Sequence, residues 1–271
     1  MTLDDGKRLW DRDLSNDYPS KKGYFGVGTS PLVDAERVYV NVGSKGAGVV
    51  AFDRKTGKEL WKSSDDGASY SSPVLAKLGG KSQLIVFTRA GLLVLEPDSG
   101  KFVHSMPFRA RIDASVNAAT PLVDGNRVFL TSSYNTGAIL LEAGKDDWKT
   151  VWKNDDSLSC HYNTPVKVGD FLYGIHGRQE AGGELRCVEW ATGKVRWTKE
   201  GFGCASLIAA DGMLIAAAES GDLVTFDANA EKYHETNRVS ALAKPVRGGP
   251  ALSDGRLFVR DGKHLVVWQV K

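Results

Sequence analysis

Short apolar runs alternate with polar turns along the chain, and one stretch shows the repeating unit most completely. Val49 to Phe52 is apolar, Asp53 opens a polar turn that ends at Gly57, and a second short strand delivers Trp61. An Asp at the start of a turn can accept hydrogen bonds from the backbone amides that follow it, and a Gly at the end supplies a positive φ without a steric clash. The pattern predicts a β-hairpin that carries a large aromatic side chain on its second strand.

The unit recurs, with two independent markers. Complete, altered or partial copies of the hairpin end at Trp10, His104, Trp152 and Trp197, and a copy that lacks both Gly and Trp begins at Val224. The second marker is a small residue followed by Pro and an apolar residue, around Pro31, Pro73, Pro121, Pro165 and Pro250, with Ala205-Ser206-Leu207 as a copy without Pro. Successive markers lie 41 to 48 residues apart. Six copies at this period, each rich in short strands, are typical of a β-propeller.

We therefore predict an all-β fold, a β-propeller of six four-stranded blades. Residues 2–10 correspond to an outer strand without a blade of its own, and the sixth unit lacks its outer strand. Pairing of these N- and C-terminal strands would close the ring and remove two exposed sheet edges. Residues 1–271 are accordingly expected to form a single propeller domain with very little helix.

Composition and charge limit the kinds of partner. Lys and Arg total 35 against 33 Asp and Glu, so the formal net charge of +2 does not indicate a nucleic-acid partner. No run of 18 apolar residues occurs, so no transmembrane segment is expected. The three cysteines, at positions 160, 187 and 204, form neither a CxxC metal site nor an even-numbered disulfide framework. We expect them to be small buried hydrophobic residues.

The repeated motif resembles that of a known family. Ala51-Phe52-Asp53 followed by Thr56-Gly57-Lys58 and Trp61, with the Ser-Pro inner strand, is similar to the tryptophan-docking repeat of PQQ-like, quinoprotein-type propellers. This family contains the PQQ-dependent alcohol dehydrogenases and the outer-membrane assembly lipoprotein BamB, and the chain resembles the BamB-like branch. The resemblance implies an exported, periplasmic protein. Members usually have eight blades and an export signal, whereas six repeats are counted here. The alternative architecture is therefore the C-terminal part of an eight-bladed propeller, and the alternative location is the cytoplasm.

The resemblance leaves three functions open. Quinoprotein dehydrogenases hold PQQ under a ring formed by two adjacent cysteines and bind Ca²⁺ through a Glu, an Asn and a catalytic Asp, and neither pattern can be matched in this sequence. The favoured hypothesis is a non-enzymatic, monomeric scaffold that uses no cofactor or metal and binds a protein or peptide. A quinone (PQQ)-dependent dehydrogenase-like enzyme and a small-ligand or carbohydrate-binding module are the alternatives.

Two groups of residues are the candidate site and the candidate joints of the fold. Residues just before the inner strands should surround the mouth of the central channel as a binding surface: Phe25, Tyr70, Asn117, His161, Tyr162, Asn163 and Arg247. The alternative is that these side chains only satisfy hydrogen bonds of the inner strands. The outer-strand tryptophans are expected to dock neighbouring blades: Trp10, Trp61, Trp152 and Trp197.

Overall fold

The structure is a computed structural model, and it describes residues 1–2, 4–20, 23, 25–110, 112, 116–144 and 147–270. Antiparallel strands joined by short turns make up most of these residues. Helix is confined, within the described ranges, to α1 at Leu14–Asp17 and a 3₁₀ turn at Gln179–Ala181. The prediction of very little helix is therefore confirmed.

The strands form six consecutive antiparallel sheets. Strands β1 to β4 span Leu32–Val33, Arg37–Ser44, Ala47–Asp53 and Glu59–Ser63, and strands β5 to β8 span Val74–Leu78, Lys81–Phe87, Gly91–Leu95 and Phe102–Pro107. Strands β9 to β12 span Leu122–Asp124, Arg127–Ser132, Gly137–Ala143 and Trp148–Asn154. Strands β13 to β16 span Val166–Val168, Phe171–His176, Glu184–Glu189 and Val195–Lys199. Strands β17 to β20 span Ala205–Ala210, Met213–Ala218, Asp222–Asp227 and Glu235–Ser240, and β21 to β23 span Ala251–Ser253, Arg256–Arg260 and Leu265–Gln269.

Within each sheet, strands that are adjacent in sequence are also adjacent in space. The third and fourth strands of four sheets show a register shift at the equivalent place, as between Ala51 and Phe52. The turn that follows is built as its residue types predict. The Asp53 carboxylate accepts hydrogen bonds from the amides of Lys55 and Thr56 at 3.1 and 2.7 Å, and Gly57 has a φ of +71°.

The chain forms two compact units, one of residues 1–130 and 141–149 and the other of residues 131–140 and 150–271. In the first unit, the sheet β1–β4 packs on the sheet β5–β8 through a buried cluster that includes Tyr39, Trp61 and Leu84. In the second unit, a cluster that includes Tyr173 and Phe226 lies between the sheets β13–β16 and β17–β20. The expected single domain spanning residues 1–271 stays a prediction.

The prediction of an all-β propeller is confirmed, but its terminal strands differ from expectation. The sixth sheet has three strands, β21 to β23, and residues 1–2 and 4–10 contain no strand. Instead, the amide of Thr2 donates to the carbonyl of Lys7 at 2.9 Å and closes a local turn. This short segment is mostly exposed and carries charged residues without apolar alternation, so local turn bonds decide its conformation.

Helices able to span a lipid bilayer are missing from the described part of the chain, because none combines sufficient length with sufficient apolar character.

Candidate functional site

The four predicted docking tryptophans share one geometry. Each donates its indole N–H to a carbonyl in the turn of the following repeat at 2.8 or 2.9 Å: Trp10 to Arg54, Trp61 to Pro97, Trp152 to Trp190 and Trp197 to Asn229. Three of the rings lie flat against a turn glycine. A Cβ added to Gly57, Gly100 or Gly193 would lie only 2.4 to 2.7 Å from the indole. The turn glycine is therefore needed for close approach as well as for its positive φ.

His104 stands in the tryptophan position of the sheet β5–β8 and behaves differently. Its imidazole stacks in parallel on the indole of Trp148, with ring centroids 4.5 Å apart. Its Nε2 atom is buried and has no hydrogen-bond partner among the described residues. His104 therefore packs locally on Trp148, and this packing leaves one polar atom unsatisfied.

The predicted channel-mouth residues of the first unit lie together. The hydroxyl of Tyr70 accepts a hydrogen bond from the amide of Phe25 at 2.7 Å, and their rings meet edge to face at 5.9 Å. The amide of Tyr70 donates to the carbonyl of Asn117, whose buried side chain donates to the carbonyls of Thr88 and Phe108 at 2.8 and 3.2 Å. Asn117 therefore orders loop backbone, whereas Phe25 presents an exposed ring.

In the second unit, His161 belongs to a row of aromatic side chains. The hydroxyl of Tyr134 lies 3.2 Å from His161 Nε2, and the rings meet edge to face. The Arg178 guanidinium lies 4.7 Å from the centre of the Tyr134 ring, within cation–π range. Burial lowers the pKa of His161, so its imidazole is neutral at pH 7. Its Nδ1 atom is buried without a partner among the described residues.

Tyr162 and Arg247 lie at the other side of this row. Burial raises the pKa of Tyr162, with the neighbouring thiol of Cys204 and the carboxylate of Glu219 adding to the effect. Arg247 donates to Glu219 at 3.0 Å and to the side chain of Gln179 at 3.3 Å. Arg247 therefore links the hairpins β14–β15 and β18–β19 through side-chain contacts.

Asn163 has a structural role. Its side-chain amide donates to the hydroxyl of Ser206 at 3.1 Å, which ties the segment before β13 to β17. The side chain is buried, so it contributes no exposed binding group.

A cleft of about 560 Å³ opens beside the link between Arg247 and Glu219. Its walls come from the ends of three sheets and consist of Gln179, Gly182, Gly183, Phe202, Gly203, Cys204, Glu219, Ser220, Lys244 and Pro245. Phe202 is held by edge-to-face contacts with Phe226 and Tyr233. Burial raises the pKa of the Cys204 thiol, so this group acts as an apolar wall and not as a thiolate.

The sequence prediction named only part of this surface. It included His161, Tyr162 and Arg247 but missed Tyr134, Arg178, Gln179 and Glu219, which lie on or beside hairpins between second and third strands. In a four-stranded antiparallel sheet, these hairpins lie at the same end as the segment that enters the first strand. The strand order alone therefore contained a signal for them, although no repeated residue marks them.

In the ranges that the structure covers, no three His, Cys, Asp or Glu side chains lie close enough together to hold a metal ion. The three cysteines are free and buried, as the sequence predicted.

Consecutive four-stranded sheets joined by docked tryptophans define a tryptophan-docking β-propeller. Comparison with known proteins gives the family. The sequence profile of the outer membrane protein assembly factor BamB matches residues 1–199, and the chain belongs to the BamB family. This confirms the PQQ-like, BamB-like resemblance seen in the motif.

Individual relatives are distant. BamB of Moranella endobia (strain PCIT) is 22% identical over 280 residues, which cover 99% of this chain and 69% of the relative. The crystal structure of BamB from Moraxella catarrhalis superposes with a TM-score of 0.66 at 16% identity, covering 91% of this chain and 70% of that one. The β-propeller domain of Cps50 (Swd1) from Myceliophteria thermophila gives a TM-score of 0.60 at 12% identity, with 89% and 85% covered. At these identities, the solved structures support the fold alone.

Proposed function

We propose that this protein is a non-enzymatic scaffold that binds an extended segment of another protein. The observation that carries the proposal is the cleft between Gln179 and Pro245, which is assembled from the loops of three sheets. Loops held by a rigid sheet scaffold are the usual place for binding sites, and a cleft of this volume accepts a few side chains of a peptide.

The lining of the cleft suits a peptide. Phe202, Cys204 and Pro245 provide apolar surface, and Phe202 is fixed by its aromatic neighbours. The rim is polar and ordered, because Glu219 is largely buried and holds the exposed side chain of Arg247. An apolar centre with an ordered polar rim is the usual composition of a protein-binding surface, and arginine is a frequent energetic anchor there.

The family relationship supports the same assignment. The relatives are named outer membrane protein assembly factors, so we propose that this chain acts outside the cytoplasm, in the cell envelope, and that its partner belongs to outer-membrane protein assembly. The predicted binding surface around His161, Tyr162 and Arg247 is then the partner-facing side of the second unit.

Site-specific photo-crosslinking tests the location of the site. A photoreactive amino acid replaces Ser220 or Lys244 at the cleft, or Asp211 or Asp254 as controls at exposed turns on the opposite ends of two of the same sheets. We expect one envelope protein to crosslink from the cleft positions and not from the controls. Equal crosslinking from both ends would reject the cleft as the binding site.

A binding measurement with that purified partner tests the chemistry. Arg247→Ala should weaken binding of the partner by about tenfold, because truncation of an anchoring arginine removes its contacts with the partner and leaves the Glu219 carboxylate without its ion pair. Arg256→Ala, an exposed arginine outside the cleft, should leave the dissociation constant unchanged. Unaltered affinity of Arg247→Ala would contradict the proposed rim.

A further inference from the structure

Arg178, in the hairpin between β14 and β15, is held in place but has no charged partner. Its guanidinium lies 4.7 Å from the centre of the Tyr134 ring. Its side chain is partly exposed and forms neither a hydrogen bond nor an ion pair with any other residue that the structure describes. A planar guanidinium that is stacked on an aromatic ring keeps its N–H donors pointing outward in a fixed plane, which suits it to bind a planar anion.

The ring on which Arg178 lies is itself fixed. The hydroxyl of Tyr134 is 3.2 Å from His161 Nε2, and the two rings meet edge to face with centroids 5.4 Å apart. Tyr134 belongs to the hairpin between β10 and β11, whereas Arg178 belongs to a hairpin of the next sheet. The guanidinium is therefore positioned by contacts from two sheets and does not depend on its own flexible stem for its orientation.

A row of rings connects Arg178 with the cleft. His161 meets Tyr162 edge to face, and the hydroxyl of Tyr162 neighbours the thiol of Cys204, which lines the cleft. Tyr134 and Tyr162 are partly exposed, so a bound segment can contact both. The two successive ring contacts of 5.4 and 5.6 Å make a span that three or four residues of an extended chain cover, at about 3.3 Å each. A segment anchored in the cleft therefore reaches Arg178.

The charges along this row favour a single carboxylate on the partner. Arg247 is already paired with Glu219 at 3.0 Å, and burial keeps His161 neutral, so the uncompensated positive charge is that of Arg178. The exposed carboxylate of Glu180 forms no ion pair with a described residue and opposes a bound anion, which lowers the affinity that Arg178 provides.

One guanidinium binds one carboxylate through two parallel hydrogen bonds. Phosphorylated groups are instead usually held by a cluster of arginines, and chain-terminal carboxylates by backbone amides. The single Arg178 therefore suits the side chain of an aspartate or a glutamate.

We propose that Arg178, positioned by Tyr134, recognises an acidic side chain of the partner segment, three or four residues away from the apolar side chain that enters the cleft. Arg178 is then a specificity-determining residue, and Tyr134 is a positioning residue. The inference rests on the proposed function, because it concerns the sequence of the segment that the cleft binds.

Selection of binders from a displayed library of random dodecapeptides tests the sequence preference. On the unaltered protein, we expect the selected peptides to share a large apolar residue and an Asp or Glu three or four positions from it. On Arg178→Gln, the apolar residue should be retained and the acidic preference lost. Selection of the apolar residue without an acid would overturn the role of Arg178 and leave peptide binding in the cleft intact. Peptides that bind Ser220→Trp, in which the cleft is obstructed, as well as they bind the unaltered protein would instead reject the cleft itself.

Calorimetric titration with one selected peptide, and with the same peptide in which the acid is replaced by its amide, tests the pairing directly. The amide peptide should bind the unaltered protein about tenfold more weakly, whereas Arg178→Gln should bind the two peptides equally, because both changes remove the same interaction. Glu180→Gln should strengthen binding of the acidic peptide severalfold. Arg256→Gln, at an exposed arginine of β22, is the control and should keep the tenfold preference.

Tyr134→Leu tests the positioning of the guanidinium. It should reduce the preference for the acidic peptide severalfold while leaving the affinity for the amide peptide unchanged. A lower melting temperature with an unchanged preference would show that the Tyr134 ring only holds the hairpins together, and would overturn its assigned role. Equal affinity of the unaltered protein for the two peptides, or a tenfold preference retained in Arg178→Gln, would overturn the proposal as a whole.

Discussion

Replacing Trp61 by alanine is the most direct test of how the repeats are joined. Trp61 is 9% exposed and packs with Tyr39 and Leu84 in the buried cluster between two sheets. Its N–H donates to the carbonyl of Pro97 at 2.9 Å, and its ring lies against Gly100. A buried tryptophan removes about 150–250 Å² from water, and truncation of such a side chain costs about 3–5 kcal/mol of unfolding free energy.

Equilibrium unfolding in guanidinium chloride measures this loss, and two further variants divide it. Trp61→Phe keeps most of the apolar contact but leaves the Pro97 carbonyl without its donor, and should cost about 1–2 kcal/mol. Leu60→Ala changes the adjacent, 47% exposed position and should cost less than about 1 kcal/mol. If Trp61→Ala unfolds within 1 kcal/mol of the unaltered protein, the tryptophan does not dock the sheets and the reasoning is wrong.

Two further predictions concern the N-terminal segment and acid stability. Trp10→Ala should lower the unfolding free energy by about 1–3 kcal/mol, less than Trp61→Ala, because Trp10 is only half-buried. Leu9→Ala is the control and should have little effect. Equal losses of unfolding free energy in the two variants would show that the hydrogen bond from the indole to Arg54 is unimportant. Hydrogen bonds from Arg238 lower the pKa of Glu235 to about 2, so this carboxylate stabilises the fold above its unfolded pKa of about 4.3, and the contribution is lost as pH falls from about 5 to 2. In chemical unfolding at pH 6 and pH 2.5, Glu235→Gln should therefore lose less stability between the two pH values than the unaltered protein, and identical losses would contradict the assigned pKa.

The fold could be predicted from sequence because its signals are local and repeated. The turn at Asp53 and Gly57 uses side-chain and φ preferences that act within five residues, and the same turn recurs in other sheets. A small residue and proline mark the first strand of five sheets, and Ala205-Ser206-Leu207 marks the first strand of the remaining sheet without proline. In the N-terminal segment, Trp10 makes the expected contact with the following repeat, whereas residues 1–2 and 4–10 form no strand; a single unrepeated stretch offers no internal check on such a prediction.

The candidate site could be predicted only in part, for a different reason. Arg247 and Glu219 are 28 positions apart, and they meet because loops of neighbouring sheets face each other. Nothing in either local sequence encodes that meeting. The stacking of His104 on Trp148 was likewise not predicted, because the two rings come from neighbouring sheets. Side-chain packing across sheets sets both features.

The geometry of the docked joints has a consequence for how such chains can change over time. Each joint uses one indole from one repeat and, from the turn of the following repeat, one carbonyl and in three of the four joints one closely approached glycine. A repeat that has both a turn and a tryptophan contains one half of each of two joints. Duplication or deletion of such repeats can therefore lengthen or shorten the array without a new type of interface. The sheet β5–β8, in which His104 takes the tryptophan position, shows that a single joint can also be replaced. When one joint among several is exchanged, the remaining joints still hold the neighbouring sheets, and the altered position becomes available for selection on something other than stability.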